Sequence, residues 1–174
     1  MPPANYFRAV CRPQKSDYPA VFTSDDVLAD MTRITVIEAD APVLRDHCHA
    51  IRSEVFCGEQ NVSREMEFDG LDDGSRHYLA MLGALPAGTA RVRQVGDGTV
   101  KFERMAVRRE YRNNNVGRAL LDRALADAAA AGAVRGVLHA QCHASAFYEK
   151  FGFLPDGKVF TEAGIDHIAM ARDL

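Results

Sequence analysis

Apolar positions recur along this chain with two periods, and the switches between them outline a mixed fold. Alternation over Ile34–Glu38 predicts a first strand. Asp40 then offers a side-chain helix cap, and Ala41-Pro42 places a proline in the first helical turn. Leu44, Cys48, Ile51 and Val55 follow on one helical face. Residues 77–82 read as a strand, 83–88 as a turn and 89–95 as the hairpin partner. Gly96-Asp97-Gly98 makes another tight turn before a strand over Thr99–Val107. Val116, Leu120, Ala124 and Ala128 mark the stripe of a second long helix, which Gly132 ends. A strand over 134–141, a short helix over 144–151 stopped by Gly152, and strands over 153–160 and 165–172 complete the pattern. The expected class is α/β, more narrowly α+β: an antiparallel meander, then a strand–helix–strand crossover that should be parallel and right-handed.

Residues 1–30 break this regularity. Pro2, Pro3, Pro13 and Pro19 lie among polar residues without a period, so an N-terminal extension is expected, with residues 31–174 as the folded domain. A chain of 174 residues suits one domain with a real core. A net charge of −3 excludes a nucleic-acid binder built on bulk positive charge. Cys11, Cys48, Cys57 and Cys142 have no CxxC spacing and no secretion signal before them, which points to reduced thiols in a cytoplasmic protein. The longest apolar run, around 124–134, contains Asp127 and falls short of a membrane span. Charge is unevenly placed. Glu59, Glu65, Glu67, Asp69, Asp72 and Asp73 face only Arg64 in their segment, whereas residues 101–123 are rich in arginine. Two ligands of opposite charge, or merely solvated loops, would each account for this.

The chemistry concentrates at Arg112-Asn113-Asn114-Asn115-Val116-Gly117-Arg118, just where the second helix begins. A helix start leaves up to four N–H groups unpaired and carries partial positive charge, which attracts phosphate. A loop that turns successive amides inward needs left-handed residues, and after glycine asparagine adopts that conformation best. The run therefore fits a phosphate cradle, although a polar turn with a cap would use similar residues.

Arg112-x-x-Asn115-x-Gly117 resembles the acetyl-CoA pyrophosphate loop of the GNAT N-acetyltransferases, and "ERMAV" before it resembles that family's central strand. "AQCHASAFYEKFGF" is similar to the second family signature through Ala144, Tyr148, Gly152 and Phe153. "VFTEAGIDHIAM" and "IRSEVFCGEQNVSREMEFDGLDD" resemble the ElaA-like branch. Two positions depart from the family: Asn115 replaces the first loop glycine, and Gln141 replaces an asparagine that contacts the pantetheine arm. The resemblance implies a mostly antiparallel sheet whose central strands splay to admit acetyl-CoA as co-substrate. It implies that backbone groups of Met105, Ala106 and Val107 bind the pantetheine and polarise the acetyl carbonyl, and that amides from Asn113 to Arg118 hold the pyrophosphate. An amine would attack directly, with Tyr148 as general acid and Glu103 as the positional favourite for base. Glu103 could equally be a paired charge, and His139 or His77 could act through water. Glu59, Glu67, Asp69 and Asp72 are candidates to grip a cationic primary amine. A homodimer is compatible with the resemblance. The alternative is an acyl-CoA-binding sensor without turnover. No metal is expected, since consecutive His47, Cys48 and His49 diverge on a helix, and the loop lacks the Gly-Lys-Ser/Thr ending of an NTPase.

Overall fold

The computed structural model describes residues 32–174, so the expected extension over 1–30 lies outside the described residues. Seven strands form one sheet in the order β1-β2-β3-β4-β5-β7-β6. They are β1 (Ile34–Glu38), β2 (Arg76–Leu82), β3 (Leu85–Gly96), β4 (Thr99–Val107), β5 (Arg135–Gln141), β6 (Leu154–Glu162) and β7 (Ile165–Asp173). Every neighbouring pair is antiparallel except β4 and β5. Those two are parallel because a helix, not a hairpin, connects them.

That helix, α3 (Val116–Ala130), buries Val116, Leu120, Leu121, Ala124, Leu125 and Ala128. They pack on one sheet face with Tyr78, Ala80, Ala90 and Leu138. On the other face α1 (Pro42–Arg52) buries Cys48 and Ile51 beside Leu79 and Ala106. Strand β2 thus alternates between two cores rather than between core and solvent, as a central strand should. Two short helices, α2 (Arg64–Glu67) and α4 (Ser145–Glu149), complete the fold.

Local expectations needed four corrections. Asp40 does not cap α1; Ala41 is the N-cap, without a side-chain bond, and Pro42 opens the helix. The expected turn over 83–88 is shorter, since β3 already begins at Leu85. Its Gly88 serves packing instead: a Cβ there would meet Val116 Cγ1 at 2.9 Å, and Ala106 O and Leu120 Cδ1 at 3.0 Å each. Helix α1 continues as a π-helix over Ser53–Glu59, and the short helix expected over 144–151 narrows to Ser145–Glu149 after a 3₁₀ turn.

The decisive irregularity lies in β4. Thr89 pairs with Ala106 and Arg91 with Glu103, so Arg104 and Met105 together oppose Ala90 alone. This is a β-bulge, and Arg104 sits in it with φ +53°. The β4–β5 ladder runs from Thr99↔Arg135 to Phe102↔Leu138 and stops there. Strand β5 nevertheless stays paired to β7 as far as Gln141↔His167. The central strands therefore splay, as expected.

Gly88→Ala should lower the unfolding free energy by about 1–3 kcal/mol, because the Ala106 carbonyl cannot yield as a flexible side chain would. Urea denaturation checks this, and unchanged stability would mean that α3 can lift off β3.

Candidate active site

Between the splayed strands lies a cavity of about 390 Å³. Beyond Phe102 the β5-facing edge of β4 has no strand partner, so its main-chain groups fall outside the sheet ladder; the Val107 carbonyl among them accepts from Arg112. The cavity wall brings together Glu103, Met105, Ala106 and Val107 of β4, Gln141 of β5, and Tyr148 of α4. The π-helix adds Val55 and Phe56; its wider turn, closed by Gln60 N–H to Val55 O at 3.2 Å, ends beside the cavity.

Tyr148 is half-buried between Phe147 and Phe153, and burial pushes its phenol up to about 12. Gln141 donates from Nε2 to Gln60 Oε1 at 2.8 Å, which ties β5 to the end of the π-helix. Glu103 is nearly enclosed, with a side chain 7% exposed, and it contacts Arg91 at 2.9 Å, Arg93 at 3.1 Å and Lys101 at 3.2 Å. Burial alone would raise its carboxyl, but the Arg93 hydrogen bond and the Arg91 and Lys101 charges hold it down at about 2.

Behind the cavity two arginines are fully buried, Arg52 and Arg91. Arg91 binds both oxygens of Asp69 at 2.8 and 2.7 Å, and Asp72 at 2.8 Å. Arg52 donates to Glu67 Oε1 at 2.5 Å and to Asp72 at 2.8 Å. The acidic connector thus folds back over buried cations. Of its expected amine-gripping residues, only Glu67 reaches the cavity wall, while Asp69 and Asp72 face the arginines. Glu59 pairs with Arg112 at 2.8 Å and Arg109 at 3.6 Å. His77 is buried, with Nε2 at 3.0 Å from Asp72 O, and serves the same connector.

The loop before α3 bends as its asparagines suggested: Asn113 has φ 65° and Asn115 φ 60°. Asn115 is the N-cap but makes no side-chain cap bond. Ala119 is the first to find an intrahelical acceptor, Asn115 O at 2.9 Å, so the amides of Val116, Gly117 and Arg118 have no such partner. The side chain of Val116 itself belongs to the core. Arg112 fastens the loop by donating to Val107 O at 3.0 Å and to Glu59. Asn115, Arg118, Lys150 and Arg172 line a second cavity of about 540 Å³ at the same helix mouth. At Gly117 an added Cβ would meet only ordinary contacts, Phe147 Cζ and Val107 Cγ2 at 3.7 Å, so the protein's own packing does not require glycine there. A ligand approaching the amides would.

A family profile described as "Acetyltransferase (GNAT) domain" matches residues 35–174. The chain belongs to the GNAT acetyltransferase family. YjcF of Bacillus subtilis (strain 168), described as an uncharacterized N-acetyltransferase, is 39% identical over 140 residues, spanning 79% of this chain and 98% of that protein. The crystal structure of Escherichia coli ElaA superposes with a TM-score of 0.70 at 28% identity, covering 80% of this chain and 98% of that one. A Bacillus subtilis acetyltransferase solved in complex with CoA shares the fold, with a TM-score of 0.64 at 18% identity over 82% of this chain and 99% of that one. The ElaA-like branch is supported by both sequence and fold, ElaA of E. coli K12 being 33% identical over 128 residues.

Within this GNAT domain Met105, Ala106, Val107, Gln141 and Tyr148 share one cavity wall, whereas Asp69 and Asp72 of the acidic connector turn to buried Arg91. The connector's charge looked available because its partners, Arg52 and Arg91, stand in an ordinary helix and strand; nothing local marks an arginine as buried. Gln60 carries no local signal either, since its bond to Gln141 joins residues 81 positions apart.

Glu103 has a folded value below its ordinary 4.5, so its contribution to stability is present above pH 4.5 and lost as pH falls toward 2. Asp69, held low first by its Arg91 hydrogen bond, acts with the same sign; Glu67, raised by burial, acts with the opposite sign. Glu103→Gln should therefore cost about 3–5 kcal/mol at neutral pH and flatten the acid loss between pH 4.5 and 2. Urea midpoints across pH read both effects, and an unchanged acid slope would remove Glu103 from the account.

Proposed function

We propose that the chain transfers an acetyl group from acetyl-CoA to a primary amine by direct attack in a ternary complex. The observation that carries this is the β4–β5 cleft, with main-chain groups outside the sheet ladder on one wall and a left-handed, amide-presenting loop where β4 leads into α3. A GNAT neighbour that holds CoA on the same fold supports acetyl-CoA as the donor. Acetyl-CoA supplies the activated thioester; the rest is positioning by this chain.

Amides from Asn113 to Arg118 hold the pyrophosphate, and the charges of Arg118, Lys150 and Arg172 at the second cavity favour the remaining phosphate. Main-chain groups of Met105, Ala106 and Val107 line up the pantetheine and stabilise negative charge developing on the acetyl oxygen. Gln141, tied through its Nε2 to Gln60, keeps its amide oxygen for the pantetheine arm. The acceptor enters past Phe56, Val62, Met66 and Ile165, which suits an amine on an apolar stem.

Tyr148 acts on the departing sulfur. A phenol at about 12 is a weaker acid than a thiol of pKa about 8.5. Its part is to donate a hydrogen bond to the emerging thiolate, whose proton comes finally from the attacking nitrogen. Glu103, at about 2, is too acidic for the basic role expected of it. Taking a proton from an alkylammonium of pKa about 10 would run uphill by roughly eight units. It instead neutralises Arg91, Arg93 and Lys101 at the cavity wall.

Two variants test this. Gly117→Ala should leave the unliganded protein as stable or slightly more so, while reducing acetyl-CoA affinity at least tenfold in calorimetry; retained affinity would mean that the amides do not hold the phosphates. Tyr148→Phe should lower kcat about 10²-fold with little change in acetyl-CoA affinity. Equal turnover would exclude the phenol. A panel of primary amines followed by free-thiol release separates an enzyme from a sensor, because a sensor binds acetyl-CoA and releases nothing.

A further inference from the structure

Strand β5 sends one titratable side chain into the cleft that neither the phosphate loop nor Tyr148 employs. His139 holds the first position after the β4–β5 ladder ends at Phe102↔Leu138. Strand alternation puts it on the same sheet face as Glu103, across the opening gap. Both side chains line the cavity with Tyr148, Met105 and Ala106.

His139 is not isolated. Its cross-strand neighbour on β7 is Ala169, whose methyl leaves room above the sheet. Over that small residue Nδ1 comes within 3.1 Å of Glu162 Oε2 on β6. Phe160 meets the imidazole edge-on, with centroids 4.8 Å apart, and stacks on His167 at 6.0 Å. A carboxylate at Nδ1 selects the tautomer that leaves Nε2 as an acceptor. The pair is 37% and 49% exposed, so solvent can carry a proton away. The other carboxylates on the cavity wall are committed elsewhere: Glu103 to three cations, Glu67 to Arg52 and Arg104.

We infer that His139 is the base for the acceptor amine and that Glu162 orients it. This rests on the amine-acetylation reading given above. The ammonium gives one proton to Nε2, directly or through one water, and the electron pair stays on nitrogen. That pair forms the C–N bond to the acetyl carbon, the C–S bond breaks, and its electrons leave on sulfur. The second nitrogen proton passes to the thiolate, while the first leaves His139 for solvent. His139 is thus a catalytic residue and Glu162 a positioning residue.

The test uses the full chain, saturating acetyl-CoA and two kinds of acceptor: alkyl primary amines, which are protonated at neutral pH, and O-methylhydroxylamine, which is not. His139→Ala should lower kcat on alkyl amines about 10²-fold, and acetyl-CoA should still raise its Tm as in the unaltered chain. The defect should shrink to a few-fold on O-methylhydroxylamine, and added imidazole should restore part of the alkyl-amine rate. Glu162→Gln should lower kcat by several-fold without changing the KM for acetyl-CoA. Full alkyl-amine turnover by His139→Ala, or an equal loss on both acceptors with no imidazole rescue, would overturn the dyad while leaving acetyl transfer intact. An unaltered chain that binds acetyl-CoA yet acetylates neither kind of amine would overturn the amine reading and the dyad together.

Discussion

A left-handed backbone at Arg104 is the constraint from which the rest of the cleft follows. For an ordinary L-residue this conformation costs about 1–2 kcal/mol. The surroundings hold it there. The guanidinium donates to Met66 O at 3.0 Å, Glu67 O at 3.1 Å and Asp69 Oδ2 at 3.1 Å, and meets the Glu67 carboxylate at 3.0 Å. Hydrogen bonds with one charged partner contribute roughly 1.5–3 kcal/mol each, so a few of them outweigh the strain. With the bulge fixed, β4 turns away from β5 after Phe102, while β7 keeps β5 in place.

The connector that supplies those oxygens is itself organised from below. Arg52 and Arg91 are wholly buried and would be very costly without counter-ions. Glu67, Asp69, Asp72 and Glu103 answer them, and each acid is shared between at least two cations. The floor of the cleft is therefore a lattice of paired charges. Above it the cavity wall combines the end of β4 with Phe56, Tyr148, Gln141 and His139, an arrangement that suits a reaction governed by alignment.

The loop before α3 is shaped by a few residue types. Left-handed Asn113 and Asn115 aim the loop, α3 contributes unpaired amides, and Arg112 pins the loop to the end of β4 and to Glu59. One arginine thus links the loop before α3 to the π-helix that carries Phe56 and ends at Gln60.

Local pattern was enough for the strands, the two long helices and the loop. Each is dictated by short-range periodicity, or by the few residue types that tolerate a positive φ. The motif residues Met105 to Val107, Gln141 and Tyr148 were named from a family resemblance, and the fold gathers them on one cavity wall. Charge partnership could not be read this way. Glu103 stood open between a base and a paired charge, and Asp69 and Asp72 were candidates for an amine grip, because a carboxylate's role depends on which cation the fold brings to it. Arg91 lies more than a dozen residues from Asp69 in sequence but 2.7 Å away in space. The bulge at Arg104 and the meeting of His139 with Glu162 across β7 were equally invisible, for both arise from strand register, a property of paired strands and not of any one segment.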